Sequence, residues 1–181
     1  SSVLSGAKAI ASALLIGGTI LMSAPQSSVA ATIAYDGNLT AVTGVTTTGR
    51  GEIDLLFDDV ANTLRISVNF EDLASNSLFS HLHCCTSTIA GGTAGPASIE
   101  IPGFPVGARA GSVIATLDLS LASSFSSAFL AANGSVSAAA AALIQALNTS
   151  RAYFNVHTEG APAGEISGFL FLDKSPPAPD G

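Results

Sequence analysis

Thr63-Leu64-Arg65-Ile66-Ser67-Val68-Asn69-Phe70 decides the fold class of this chain. Leu64, Ile66, Val68 and Phe70 alternate with Arg65, Ser67 and Asn69, and a period of two places the four apolar side chains on one face of a β-strand. Just upstream, residues 52–57 (Glu-Ile-Asp-Leu-Leu-Phe) form a second strand-like run, and Asp58-Asp59-Val60-Ala61-Asn62 between the two supplies turn residues. The pair reads as a β-hairpin with one buried face.

Working outward, similar short runs recur with turn residues between them, at 31–39, 78–84, 97–101, 112–119, 152–158 and 164–172. Seven or eight such strands predict an all-β fold, a Greek-key or immunoglobulin-like antiparallel β-sandwich. The exception lies at 123–148. There Phe125, Phe129 and Leu130, then Leu143, Ile144 and Leu147, recur at helical spacing around an Ala-rich run. Two short helices broken near Asn133-Gly134 are expected, packed on a sheet edge or on one end of the sandwich.

The ends of the chain read differently. Lys8 precedes the apolar run from Ala9 to Met22, and Ser23-Ala24-Pro25 then leads into small residues up to Ala31. That three-part pattern is a secretory signal over residues 1–31, with cleavage expected near Ala31 or Thr32. The run is interrupted by Ser12, Gly17, Gly18 and Thr19 and is shorter than the ~20 apolar residues of a spanning helix, so no membrane association is expected after cleavage. A single domain over 32–173 follows, and the Pro-rich segment 174–181 reads as an extended, exposed tail.

The 181 residues carry 6 basic and 13 acidic side chains, a formal net charge of −7, with 48% hydrophobic but only 10% charged residues. Five of the six basic residues, Arg50, Arg65, Arg109, Arg151 and Lys174, are scattered through the mature region, which argues against nucleic acid as a partner. A sparsely charged surface rich in Ser, Thr, Ala and Gly suits an exported protein, in the extracellular space or at the cell surface.

All three histidines and both cysteines fall in two segments, Ser80-His81-Leu82-His83-Cys84-Cys85-Thr86 and Ala152-Tyr153-Phe154-Asn155-Val156-His157-Thr158. On a strand, His81 and His83 share a face with Phe79, while Leu82 and Cys84 take the other. A His-x-His pair joined by His157 from another strand can offer three imidazoles to copper(II) or zinc. Were the strand to continue regularly, Cys85 would share their face and could complete a four-ligand set, with Glu165 or Asn155 hydrogen-bonding the ligands from behind. The competing reading is that these histidines simply hydrogen-bond neighbouring strands or loop carbonyls.

Adjacent Cα atoms lie ~3.8 Å apart across a trans peptide, closer than an ordinary disulfide spans, so no ordinary intrachain bridge is expected. Buried thiols are the favoured state for Cys84 and Cys85; a strained vicinal ring, metal ligation and an interchain bridge are the alternatives. No hydrolase or phosphate-binding motif is present. The pairs Asp58-Asp59 and Glu71-Asp72 sit at predicted turns, where capping is the simpler role. Asn38, Asn133 and Asn148 each begin a glycosylation acceptor triplet.

Taken together, the 80–86 and 152–158 segments, Ala94-Gly95-Pro96-Ala97, residues 125–133 and Gly164-Glu165-Ile166-Ser167-Gly168 resemble the successive blocks of the CHRD (chordin-type) domain family. The resemblance covers about residues 31–172. It departs from the family at Ser167, where an arginine is frequent, so a salt bridge from that position is not expected. What the resemblance implies is an extracellular domain of the kind found in chordin-like and secreted microbial proteins. The His-x-His strand and Ala-Gly-Pro are also similar to copper/zinc superoxide dismutases, which use more histidines than this chain has, so dismutase activity is not expected.

The resulting expectation is a secreted binding or structural module rather than an enzyme. It self-assembles into a homo-oligomer or filament, or binds other extracellular proteins, and carries a metal site at His81, His83 and His157 with Cys85. The alternative is a copper- or zinc-binding redox or metal-handling protein.

Overall fold

A computed structural model describes residues 32–174. Residues 1–31, expected above to be a signal, and all but the first residue of the expected Pro-rich tail lie outside the described residues. The strands are β1 (Thr32–Ala41), β2 (Arg50–Asp58), β3 (Thr63–Glu71), β4 (Ser77–Cys84), β5 (Ala97–Glu100), β6 (Gly111–Asp118), β7 (Ala152–Thr158), β8 (Ile166–Phe169) and β9 (Phe171–Leu172). The helices are α1 (Ser127–Asn133) and α2 (Val136–Asn148).

The deciding hairpin forms as its pattern requires. Leu64, Ile66, Val68 and Phe70 are all buried on β3, with Ile53, Leu55 and Phe57 buried opposite them on β2. Each such side chain removed from water contributes about 1.5–3 kcal/mol, so this single face anchors one half of the core. The turn is closed by the Asp58 carboxylate, which accepts the backbone N–H groups of Val60 and Ala61 at 3.0 and 2.8 Å.

Every strand pairing is antiparallel, in the order β5-β4-β7-β8-β1-β2-β3-β6, with β9 on β1. The sheet curls on itself as an all-β sandwich. β1 belongs to both halves: residues 32–39 pair with β2, and Thr40 and Ala41 pair with β8. The run expected as one strand at 164–172 is divided. Leu170 is fully buried and donates its N–H to Ala152, between β8 on one half and β9 on the other.

The helices follow from their caps. Ser126 accepts the Phe129 N–H and Ser135 accepts the Ala138 N–H, while Gly134 between them takes a left-handed φ of 81° that ends α1 at little steric cost. Leu143, Ala146 and Leu147 of α2 are buried, and the helix packs against β4, β7 and β9. The Tyr35 hydroxyl donates to Asn148 Oδ1 at 2.7 Å and ties the helix end to β1.

The cysteines differ from expectation. Cys84 and Cys85 are joined as a vicinal disulfide across a cis peptide, not held as separate thiols. The vicinal ring, given above as an alternative to separate buried thiols, is the arrangement present.

Candidate metal centre

β4 and β7 are adjacent and in register, with His81 opposite Asn155, His83 opposite Tyr153 and Phe79 opposite His157. Along β4, Ser80, Leu82 and Cys84 turn inward and are buried, which leaves Phe79, His81 and His83 on the outer face. The same parity puts Tyr153, Asn155 and His157 on the outer face of β7. Two strands therefore bring all three histidines together. Their ligand-capable ring nitrogens lie within 4.8 Å of one another.

Nitrogens bound to a tetrahedral zinc ion at ~2.0–2.1 Å stand about 3.3 Å apart, so the rings need only a modest closure to share one ion.

Two of the rings are held. His83 Nδ1 lies 2.9 Å from the Gly95 carbonyl oxygen, and His157 Nδ1 lies 2.8 Å from that of Pro162. A carbonyl only accepts, so each Nδ1 carries the proton and donates, and in the neutral ring Nε2 is left with a lone pair. Both Nε2 atoms are buried and have no hydrogen-bond partner in the protein. Loop carbonyls do bind two of these histidines, as the simpler reading supposed, but they account only for the Nδ1 atoms of His83 and His157.

Burial favours the neutral form of two of the rings, His81 and His83. Burial lowers the His81 pKa, helped by His157 and His83 and opposed by Glu100. Burial also lowers that of His83; the Gly95 hydrogen bond and Asn155 oppose it. Neutral imidazole is the form that ligates.

The packing is aromatic. His83 stacks on Tyr153 with centroids 4.6 Å apart and planes 8° from parallel, and the Tyr153 hydroxyl donates to Gly95 O at 3.3 Å. Phe79 lies against His157 at 4.4 Å and against His81 at 5.1 Å. Tyr153 and the two loop carbonyls were not singled out from sequence, although Tyr153 has the same parity as His157 and Gly95 sits in the Ala-Gly-Pro block.

Cys85 is not part of the cluster. β4 ends at Cys84, which ends the alternation that would have kept Cys85 with the histidines, and both sulfurs lie 3.6–3.7 Å from the Ala142 carbonyl oxygen of α2. Glu165 is also engaged elsewhere. Its carboxylate accepts from Thr47 Oγ1 (2.6 Å), the Ala74 N–H (2.6 Å) and Thr158 Oγ1 (2.7 Å). Burial raises its pKa, but these bonds outweigh burial and hold it below the ordinary value. Asn155 is placed at the cluster, buried between Tyr153 and His157 on β7, and its Oδ1 has no hydrogen-bond partner.

Comparison with known proteins agrees with the blocks read from sequence. The CHRD domain family model matches residues 32–170. Neither the curated proteins nor the solved structures gave a match. Domains of this family are typically extracellular. With one match running from the first described strand through Leu170, the chain belongs to the CHRD domain family.

Proposed function

We propose that the chain is an exported binding module whose working site is a mononuclear copper(II) or zinc centre ligated by His81, His83 and His157. One observation carries the reading. His83 and His157 are each fixed with Nδ1 on a backbone carbonyl, which leaves two buried, unpartnered Nε2 lone pairs beside a third imidazole. Two buried acceptors without donors are costly in an empty protein site and are satisfied together by one cation.

The test is metal analysis and calorimetric titration of protein purified without chelator. About one equivalent of metal is expected in the wild type and none in a His81→Ala/His83→Ala variant. Absence of metal uptake by the wild type overturns the reading.

A second reading, self-assembly, draws on the far half of the sheet. β6 ends the strand order and exposes Ile114 at its middle, the kind of edge through which a second copy can add strands. Scattering that shows a monomer at every concentration overturns it. Export itself is tested by the N-terminal sequence of protein recovered from the medium, which should start near Ala31 or Thr32.

A further inference from the structure

Among the described residues, four buried side-chain atoms lack a hydrogen-bond partner in the protein, and three of them belong to this one face: His83 Nε2, His157 Nε2 and Asn155 Oδ1. All three are acceptors. The two nitrogens call for a cation, but a carboxamide oxygen calls for a donor, and neither histidine has an N–H left to give it. A cation held by His83 and His157 therefore leaves the carboxamide oxygen without a donor from either of those two rings.

Asn155 is well fixed. It is 6% exposed, stands opposite His81 in register and shares the outer face of β7 with Tyr153 and His157. Its Nδ2 would stand 3.5 Å from a Cβ placed on Gly164. A hollow of about 440 Å³ is lined by Asn155 with Tyr153, Ser167 and Phe169.

We infer that the centre keeps an exchangeable fourth position, occupied by a protic ligand bound to the metal through one atom and donating its hydrogen to Asn155 Oδ1. This rests on the metal reading above and adds a ligand preference to it. Water, hydroxide, ammonia and hydroperoxide can bind the ion and still donate. Azide, cyanide and chloride cannot, and they place an electron-rich atom against the carboxamide oxygen. Three protein ligands and one open position is the arrangement of zinc sites that do chemistry rather than purely structural ones.

Copper(II) is the probe, since a nitrogen site that takes zinc takes copper(II) more tightly. The full mature chain is loaded with one equivalent, and solvent-proton relaxation and the near-ultraviolet spectrum are followed during azide titration. Expected are an enhanced relaxation rate from exchanging bound water, its loss on adding azide, and a saturable azide-to-copper absorption band. In Asn155→Ala, copper is retained and azide binds about fivefold tighter, because the displaced water no longer forfeits a hydrogen bond worth about 1 kcal/mol. Asn155→Asp, which keeps an acceptor oxygen, should retain the relaxation enhancement and serves if the alanine variant does not fold.

Copper bound with neither relaxation enhancement nor azide band overturns the exchangeable position and leaves the metal centre standing. Unchanged or weaker azide binding in Asn155→Ala overturns the role of Asn155. Failure to bind copper overturns both this inference and the metal reading.

Discussion

The Gly95 carbonyl oxygen receives two donors from two stacked rings, His83 Nδ1 at 2.9 Å and the Tyr153 hydroxyl at 3.3 Å. Ring orientation at His83 is thus set from its face by Tyr153 and from its edge by a backbone group 12 residues further along the chain. Removing the stacking ring while leaving the carbonyl in place should loosen the ligand without unfolding the sheet. Tyr153→Ala is expected to weaken copper or zinc binding about tenfold, and Tyr153→Phe by much less, as measured by competitive titration.

Gly95 has a second constraint. A Cβ at this position would collide with the Cys84 carbonyl carbon and lie 2.6 Å from both the Cys84 oxygen and the Cys85 nitrogen. Backbone cannot yield as a flexible side chain would, so Gly95→Ala must push the loop away from the end of β4 and take the His83 acceptor with it. A loss of about 2 kcal/mol in denaturant unfolding is expected, together with weaker metal binding.

Glu165 shows how much of this arrangement is long-range. It lies 118 residues from Thr47 and 91 from Ala74, yet its carboxylate joins both to Thr158 at the end of β7. Its folded pKa is held below the ordinary 4.5, so its contribution to stability is complete above that value and is lost as pH falls through the folded one. Glu165→Gln should cost about 3 kcal/mol at pH 7, and its stability should fall less steeply below pH 4.5 than that of the wild type.

The two faces of β4 should respond separately to mutation. Leu82 is fully buried on the inner face, between two histidines that point outward. Leu82→Ala is expected to lose about 3 kcal/mol of stability, while the metal affinity of the folded protein stays within about twofold. A parallel collapse of affinity would show that the two faces are coupled.

The strands were legible because period-two alternation directly reports one-sided burial, as at Leu64, Ile66, Val68 and Phe70. The helix break was legible because Gly134 and Ser135 are an end signal followed at once by a start signal. The histidine trio could be proposed from parity and sequence clustering alone. What fixes it could not, because the Gly95 and Pro162 carbonyls are backbone atoms of loops and carry no residue-type signal. Cys85 was misplaced for a related reason. Parity holds only while the strand lasts, and β4 stops one residue short of it. Glu165 was read from sequence as a support for the ligands, whereas the fold uses it to join the 47 and 74 loops to β7.

The inward turn of Leu82 and Cys84, with the histidines outward, separates the core from the centre. The apolar interior closes on the inner face of the sheet, with Leu82 and Cys84 among its members. An ion at the outer face therefore adds stability to a scaffold that already closes on its own apolar core. A chelator should empty the centre and leave the strands intact, so occupancy can follow the supply of metal around the protein, rising and falling while the scaffold stays the same.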